Sequence, residues 1–277
     1  MNKRSYYYSA LIPVFILGVL FSFSFGSDPV TALPITIPPV NNGNISDLSV
    51  YLGLSPGYSL IDKFGKNDDV DTSFEDIWND GGVLTLLNSS STMIITTTGQ
   101  DTNGGTGAHT ITISGLNGTY YAIEETVTLN AGSPPTTNES FIRINRAFVV
   151  DSGSSLTNEN DIVITATTGG SVQGNIQSGE GQTQKTQYTI PEGFTGYLIS
   201  GYFTTDSGQH VNGQLLVKNY NESWRVKHET IILDGIDRFN LMGSSPIPAK
   251  SDIKWRAIGA SPNNEITAGY NLILKEN

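Results

Sequence analysis

The segments Ala108-His109-Thr110-Ile111-Thr112-Ile113 and Tyr121-Ala122-Ile123-Glu124-Glu125-Thr126-Val127-Thr128-Leu129 decide the fold class. Apolar and polar side chains alternate along both segments, which is the period of a β-strand with one buried face. The pair Asn117-Gly118 lies between them and favours a turn. The sequence therefore predicts two half-buried strands, with His109, Ile111 and Ile113 on one apolar face.

The same alternation recurs at residues 141–150, 162–166, 224–232 and 266–274. Turn-forming residues separate these segments at intervals of about 8 to 15 residues, and no long apolar stripe has helical spacing. Short strands at this spacing are typical of a sandwich or barrel. We also expect a turn at Pro191-Glu192-Gly193, and a terminal hairpin formed by residues 252–259 and 265–275.

The N-terminus is a membrane-targeting segment. Lys3 and Arg4 precede an uncharged stretch, residues 5–27, whose centre is strongly apolar. A basic flank followed by an apolar core is typical of a secretory signal peptide, and the full stretch approaches the ~20 residues that span a bilayer. Residues 1–27 are therefore a signal peptide or a membrane anchor, with membrane contact through residues 6–26. In either case the C-terminal bulk is predicted to be non-cytoplasmic.

Composition divides the remaining chain into three parts. Residues 28–60 are rich in proline, which favours an extended linker. A run rich in Gly and Gln at residues 169–184 marks the best boundary between two later blocks. The predicted fold is all-β: an N-terminal apolar helix, then two antiparallel β-sandwich domains in series, jelly-roll or immunoglobulin-like, at residues 61–180 and 181–277.

Charge and composition exclude several function classes. The chain has 277 residues, a net charge of −11, three histidines and no cysteine. The negative field repels phosphate backbones, so we predict no nucleic-acid partner. Without cysteine there is no disulfide, thiolate nucleophile or zinc–thiolate site.

The candidate chemical groups each have a structural explanation. The acidic run Asp68, Asp69, Asp71, Glu75, Asp76 and Asp80 could bind Ca²⁺, but its spacing misses the EF-hand loop and favours a solvated loop. Glu124 and Glu125 are neighbours in a strand and point to opposite faces, so they cannot flank one bond. The Gly104–Gly107 loop lacks the Lys-Ser/Thr of a phosphate-binding loop and favours a turn. We predict no catalytic, cofactor-binding or metal residue, and no cofactor.

The histidines and the large aromatic residues also have structural interpretations. For His109 and His228 we expect core positions with satisfied rings. Aromatic side chains can stack on sugar rings, and the candidates are Trp78, Trp224, Trp255, Tyr202 and Tyr220. Trp224 and Trp255 alternate in phase with apolar residues, so core packing explains them better.

An ordered set of motifs resembles a family of putative virion structural proteins of marine tailed bacteriophages, the cyanophages and their relatives. The motifs are KFGKNDDVDT at 63–72, IW at 77–78 with GG at 81–82, GTGAHT at 105–110, GL at 115–116, IEETVTLN at 123–130, FIRINRA at 141–147, GEGQT at 179–183, YTIPEG at 188–193, and the ending that starts PAKSDI at 248 and runs to 274. The resemblance covers residues 62–277. The resemblance implies no site residue. The first 60 residues depart from the family pattern, because they begin with a predicted export or anchor segment and tailed-phage structural proteins usually lack one.

The resemblance implies a non-enzymatic phage structural or display protein, such as a capsid decoration, spike or tail attachment component. Its partners would be other virion proteins or copies of itself, and a host-surface glycan, and its location the virion surface. The alternative is a membrane-anchored or secreted β-sandwich of a cell envelope that binds glycans or another surface.

Overall fold

The computed structural model describes Val50, Gly53, residues 55–206, Gly208, and residues 210–241 and 245–277. The predicted signal peptide or anchor, residues 1–27, and most of the predicted linker lie outside the described residues. All named elements within these ranges are β-strands, and every paired set is antiparallel, which confirms the all-β prediction. The described part contains no helix with the length and apolar character of a membrane span.

Fifteen strands are described in these ranges. They are β1 Tyr58–Val70, β2 Glu75–Asp76, β3 Met93–Thr96, β4 Ala108–Leu116, β5 Ala122–Thr128, β6 Arg143–Ser152, β7 Ile162–Ala166, β8 Val172–Ile176, β9 Tyr188–Thr189, β10 Phe194–Thr205, β11 Val211–Lys218, β12 Arg225–Ile232, β13 Gly235–Asn240, β14 Asp252–Gly259 and β15 Asn264–Glu276.

Two sheets form what we call the framework lobe. One sheet has the order β1-β15-β10-β13, and the other has the order β12-β11-β14-β2 with β9 also on β14. Their inner faces meet in one hydrophobic core, where Trp255, Phe203 and Leu272 are buried. Burial of each such side chain contributes about 1.5–3 kcal/mol, so this core is the main stabilising element of the lobe.

The inserted lobe consists of strands β3 to β8, which the chain forms between β2 and β9. Its two three-stranded sheets have the orders β3-β7-β8 and β5-β4-β6. A separate hydrophobic core lies between them, and Ile111, Ile113, Ile162 and Ile164 are fully buried in it. The alternation noted at residues 111–113 and 162–166 therefore identifies side chains that face this core.

Strand pairing does not follow the order of the sequence blocks. Strand β1 pairs with β15 from Tyr58↔Lys275 to Asn67↔Ile266, and β2 pairs with β14. Strands β1 and β2 thus share sheets with residues 188–276, whereas the predicted first domain, residues 61–180, contains β2 and most of β1. The described residues from Val50 onward belong to one compact unit.

The predicted terminal hairpin is wrong. Strands β14 and β15 lie in different sheets, β14 beside β11 and β15 between β1 and β10. They face each other across the core instead, where Trp255 Nε1 donates to the Gly269 carbonyl at 3.3 Å. Both strands carry apolar residues toward the core, so a short loop that crosses between the sheets buries more apolar surface than a flat hairpin would. The turn at Pro191-Glu192-Gly193 is confirmed, between β9 and β10.

Candidate functional site

The acidic run does not converge on one point. Asp76 is buried and forms an ion pair with Lys254 at 2.5 Å, whereas Asp80 accepts from Asn175 Nδ2 at 3.2 Å. Glu75 accepts three hydrogen bonds within its own loop, from Asn67 Nδ2, Asp71 N and Gly82 N. In the described ranges no group of three or more His, Asp or Glu side chains could hold a metal ion.

The paired glutamates and the glycine loop have separate local contacts. Glu124 accepts from Ser114 Oγ, whereas Glu125 accepts from the backbone N–H groups of Asn138 and Glu139. The Gly104–Gly107 loop is a turn, as expected, with Gly105 N donating to the Thr102 carbonyl. Neither feature assembles a reactive centre.

His109 does not lie in the core, which corrects the sequence prediction. The pairing of β4 with β6 shifts register on both sides of Thr110, which marks two β-bulges. Because of these bulges, the side chain of His109 does not point into the core with those of Ile111 and Ile113. Its Nδ1 lies 3.0 Å from Asp151 Oδ2 and its Nε2 lies 2.8 Å from the Gly105 carbonyl. Both contacts favour the protonated ring and therefore raise the pKa of His109. The contact with the Gly105 carbonyl contributes most to this increase, and the contact with Asp151 contributes less.

His228 lies at the open edge of the framework lobe. A register shift between Leu215 and Leu216 places Val226 outside, while His228 stacks on Phe239 with ring centroids 3.9 Å apart. Its Nε2 lies 3.0 Å from Asp237 Oδ2, so the ring has a partner, as expected, but the expected core position is wrong because His228 is half-buried on an edge strand.

The five aromatic candidates have different environments. Trp255 and Trp78 are buried, and Trp224 is half-buried beneath the ammonium groups of Lys218 and Lys254. Tyr220 is exposed and contacts Tyr120 edge to face. Tyr202 lines a groove on a solvent-facing sheet surface.

A buried ionic cluster joins the two lobes, and no motif in the sequence pointed to it. Arg143 of β6 donates from Nε and Nη2 to the two carboxylate oxygens of Asp252 on β14, at 2.8 and 3.2 Å. Thr189 and Lys218 also contact this carboxylate, at 2.6 and 3.1 Å. Burial alone would raise the pKa of Asp252, but the hydrogen bonds and charge of Arg143, with the Thr189 and Lys218 contacts, outweigh it and lower the pKa.

Two further lysines at this junction bind only backbone oxygens. Lys63 Nζ donates to the Asn145 carbonyl at 2.7 Å, and Lys185 Nζ donates to the carbonyls of Ile144 and Gln173 at 2.9 and 2.7 Å. Burial, helped by the charge of Arg146, lowers the pKa of Lys63 to about 7. The Lys63 contact joins β1 of the framework lobe to β6 of the inserted lobe, and the Lys185 contacts join the segment before β9 to β6 and β8.

We call residues 225–240 the edge hairpin because the chain turns there from β12 in one sheet to β13 in the other, although these two strands do not pair with each other. This segment carries several exposed apolar side chains. Of the nine large hydrophobic side chains that are exposed in the described ranges, four lie on it: Val226, Ile231, Leu233 and Ile236, which are 46%, 65%, 49% and 50% exposed. Its strands β12 and β13 are the terminal strands of their two sheets. An exposed apolar edge strand is a template for association with another chain.

A groove of about 450 Å³ crosses the outer face of the β1-β15-β10-β13 sheet. Its polar lining is Asp62, Asn271, Ser200, Tyr202 and Arg238. The register places Asp62 beside Asn271, Asn271 beside Ser200, and Tyr202 beside Arg238, so the groove runs across the strands.

Comparisons with known proteins identify no family. No family model matches the chain, and no curated protein matches it. Among solved structures, the chain is similar to the VP2 subviral particle of infectious bursal disease virus, with 10% identity and a TM-score of 0.19, over 79% of this chain and 72% of that chain. It is also similar to the Gt strain structure of that virus, with 9% identity and a TM-score of 0.16, over 80% and 77%. These values are too low to carry an argument about function.

Proposed function

We propose that this chain is a non-enzymatic structural or display protein of a bacteriophage virion, and that copies of it associate through the edge hairpin. The ordered motifs of residues 62–277 support the virion assignment. The association rests on the exposed apolar side chains of the hairpin, because an unpaired edge strand with exposed apolar side chains is a template for pairing with another chain.

Charge favours a second copy as the partner of the hairpin. Residues 225–240 contain three basic and three acidic side chains, whereas the whole chain has a net charge of −11. Two copies that meet at their hairpins therefore bring together segments without net charge, which lowers the repulsion between two chains that are each strongly negative. In an antiparallel pairing of β12 with its copy, centred on His228, Lys227 would lie opposite Glu229. The outer edge of β12 pairs with no strand in the described part of the chain.

Light scattering of the full chain tests the association. We expect the wild type to be oligomeric and an Ile231→Lys/Leu233→Lys variant to be monomeric, because a lysine at position 231 would lie opposite Arg225 of the copy in that pairing and both changes replace apolar contacts with charge. The matched control is Val83→Lys/Val150→Lys, which changes two side chains that are 63% and 55% exposed outside the hairpin. A monomeric wild type at the highest concentration reached, or equal dissociation of the control, would refute association through this hairpin.

Particle composition tests the virion assignment separately. We expect mass spectrometry of particles purified from the strain that encodes the chain to find it in multiple copies. Its absence from particles, together with recovery in the envelope fraction, would favour the alternative of an anchored or secreted envelope protein.

A further inference from the structure

The solvent-facing groove of the framework lobe is built by cross-strand neighbours on four strands. Asp62, Asn271 and Ser200 follow one another across β1, β15 and β10, and Tyr202 lies beside Arg238 of β13. A register shift between Leu198 and Ser200 marks a bulge in β10, and bulges bend a sheet locally. With strands about 4.8 Å apart, four of them span about 14 Å, which is long enough for a short linear ligand.

Tyr202 supplies an aromatic surface in this groove. Its ring lies against the backbone of Gly269, since a Cβ on that glycine would be 2.6 Å from Tyr202 Cε1. A side chain at position 269 would therefore displace the ring. The backbone holds Tyr202 in place while the ring remains half exposed at the groove. A second aromatic residue, Phe64, is also a register partner of Gly269.

The polar groups around Tyr202 combine donors and acceptors without net charge. Asp62 accepts hydrogen bonds, Arg238 donates them, and Asn271 and Ser200 can do both. Asn271 Nδ2 donates to Ser200 Oγ at 3.3 Å, which orients the amide along the groove. One carboxylate and one guanidinium balance each other, so the groove favours neither an anionic nor a cationic ligand.

We propose that this groove binds a neutral oligosaccharide, with one sugar ring stacked on Tyr202 and its hydroxyl groups hydrogen-bonded to Asp62, Asn271 and Arg238. A saccharide matches the groove because each ring has an apolar C–H face for the aromatic side chain and hydroxyls that both donate and accept. Phosphate-rich ligands are disfavoured by Asp62 and by the negative charge of the chain. The site does not depend on which assembly carries the chain.

Titration of the ¹⁵N-labelled full chain with cellotriose, maltotriose, chitotriose and mannotriose tests this site. We expect at least one of them to bind saturably with a dissociation constant on the order of 1 mM, and to shift the amide resonances of the groove. Arg238→Gln and Tyr202→Ala should each weaken that binding at least about tenfold, which corresponds to the loss of a favourable contact. Tyr121→Ala is the matched control, since Tyr121 is 56% exposed and lies outside the groove.

Two results would overturn the assignment. One is the absence of saturable shifts with all four trisaccharides. The other is binding that Arg238→Gln leaves unchanged, which would place the saccharide elsewhere. Arg238 is exposed, so its variant reports on binding even where Tyr202→Ala lowers stability. Neither result bears on the light-scattering test of the hairpin.

Discussion

Replacing Lys63 with methionine should remove a pH dependence of stability between pH 7 and pH 9. Burial holds the pKa of Lys63 at about 7 in the folded chain, against 10.5 for an ordinary lysine. Between these values the unfolded chain binds a proton that the folded chain does not. The free energy of unfolding therefore rises with pH across this window, and falls as pH decreases toward 7.

The size of the effect follows from the two pKa values. A full proton difference contributes about 1.4 kcal/mol per pH unit. Because half of the folded molecules still carry the proton at a pH near 7, the increase from pH 7 to pH 9 is about 2 kcal/mol. Methionine fills the space of the lysine stem without titrating, so the Lys63→Met variant lacks this increase.

Urea unfolding, followed by tryptophan fluorescence at pH 7, 8 and 9, measures the difference. Loss of the hydrogen bond to the Asn145 carbonyl lowers stability equally at each pH and does not change the slope. Lys66→Met is the control on the same strand, because its contacts with Asp68 and Glu265 raise the pKa of Lys66 and keep it charged in both states over this range. Parallel profiles for wild type and Lys63→Met would refute the reasoning.

Three further predictions concern Asp252, Gly65 and His109. Asp252→Asn leaves the Arg143 guanidinium buried without a countercharge and should lower the free energy of unfolding by about 3–5 kcal/mol in urea, and a loss below about 1 kcal/mol would contradict this. Gly65→Ala should lower the free energy of unfolding by at least about 1–3 kcal/mol, because the new Cβ would lie 2.5 and 2.6 Å from backbone atoms. Gly174→Ala is the control in the same assay and should be about as stable as the wild type, because the nearest atom to its Cβ would be 3.4 Å away. The pKa of His109 is raised by its carbonyl and carboxylate partners, so its stabilisation is complete below pH 6.5 and is lost as pH rises through the folded value. His109→Gln should accordingly lose more stability at pH 5.5 than at pH 8.5, and equal losses would show that the ring contacts do not depend on protonation.

The existence of most strands could be predicted because the signal is local. Residues 162–166 alternate between buried and half-buried side chains, and β7 has these bounds. Strand pairing carries no such signal, since β1 and β15 are separated by nearly the whole described chain. The loop after Gly259 is short enough for a hairpin and also for a crossing between sheets, so its length could not distinguish the two.

The sequence pattern assigns a side chain to the wrong face of its strand where a β-bulge interrupts the alternation. A period of two assigns His109 to the face of Ile111, but one extra residue in the strand reverses the faces that follow or precede it. In the same way, a register shift between Leu215 and Leu216 leaves Val226 exposed on β12. A bulge has no clear mark in a single sequence, because many residue types accept its backbone angles.

The buried charges could not be predicted either. Arg143, Lys63 and Lys185 lie in polar positions of strand-like segments, where a solvated side chain is the usual outcome. They are buried because a second lobe covers them, and their partners come from distant parts of the chain, such as Asp252, which is 109 residues from Arg143. Only the three-dimensional contact between lobes creates the site.

The two proposed surfaces use opposite strands of one hairpin, and this separation can be tested directly. Ile231 and Leu233 belong to β12 and the turn, whereas Ile236 and Arg238 of β13 line the groove, so the proposed association uses only the β12 side of the hairpin. Association through β12 would leave the groove open, so Ile231→Lys should abolish oligomers and leave the per-site saccharide affinity unchanged. Arg238→Gln should have the reverse effect. Each variant is measured by light scattering and by saccharide titration. A change of both oligomeric state and saccharide affinity in either variant would show that the two surfaces overlap. The protein could then not use this hairpin to assemble and to bind saccharide at the same time.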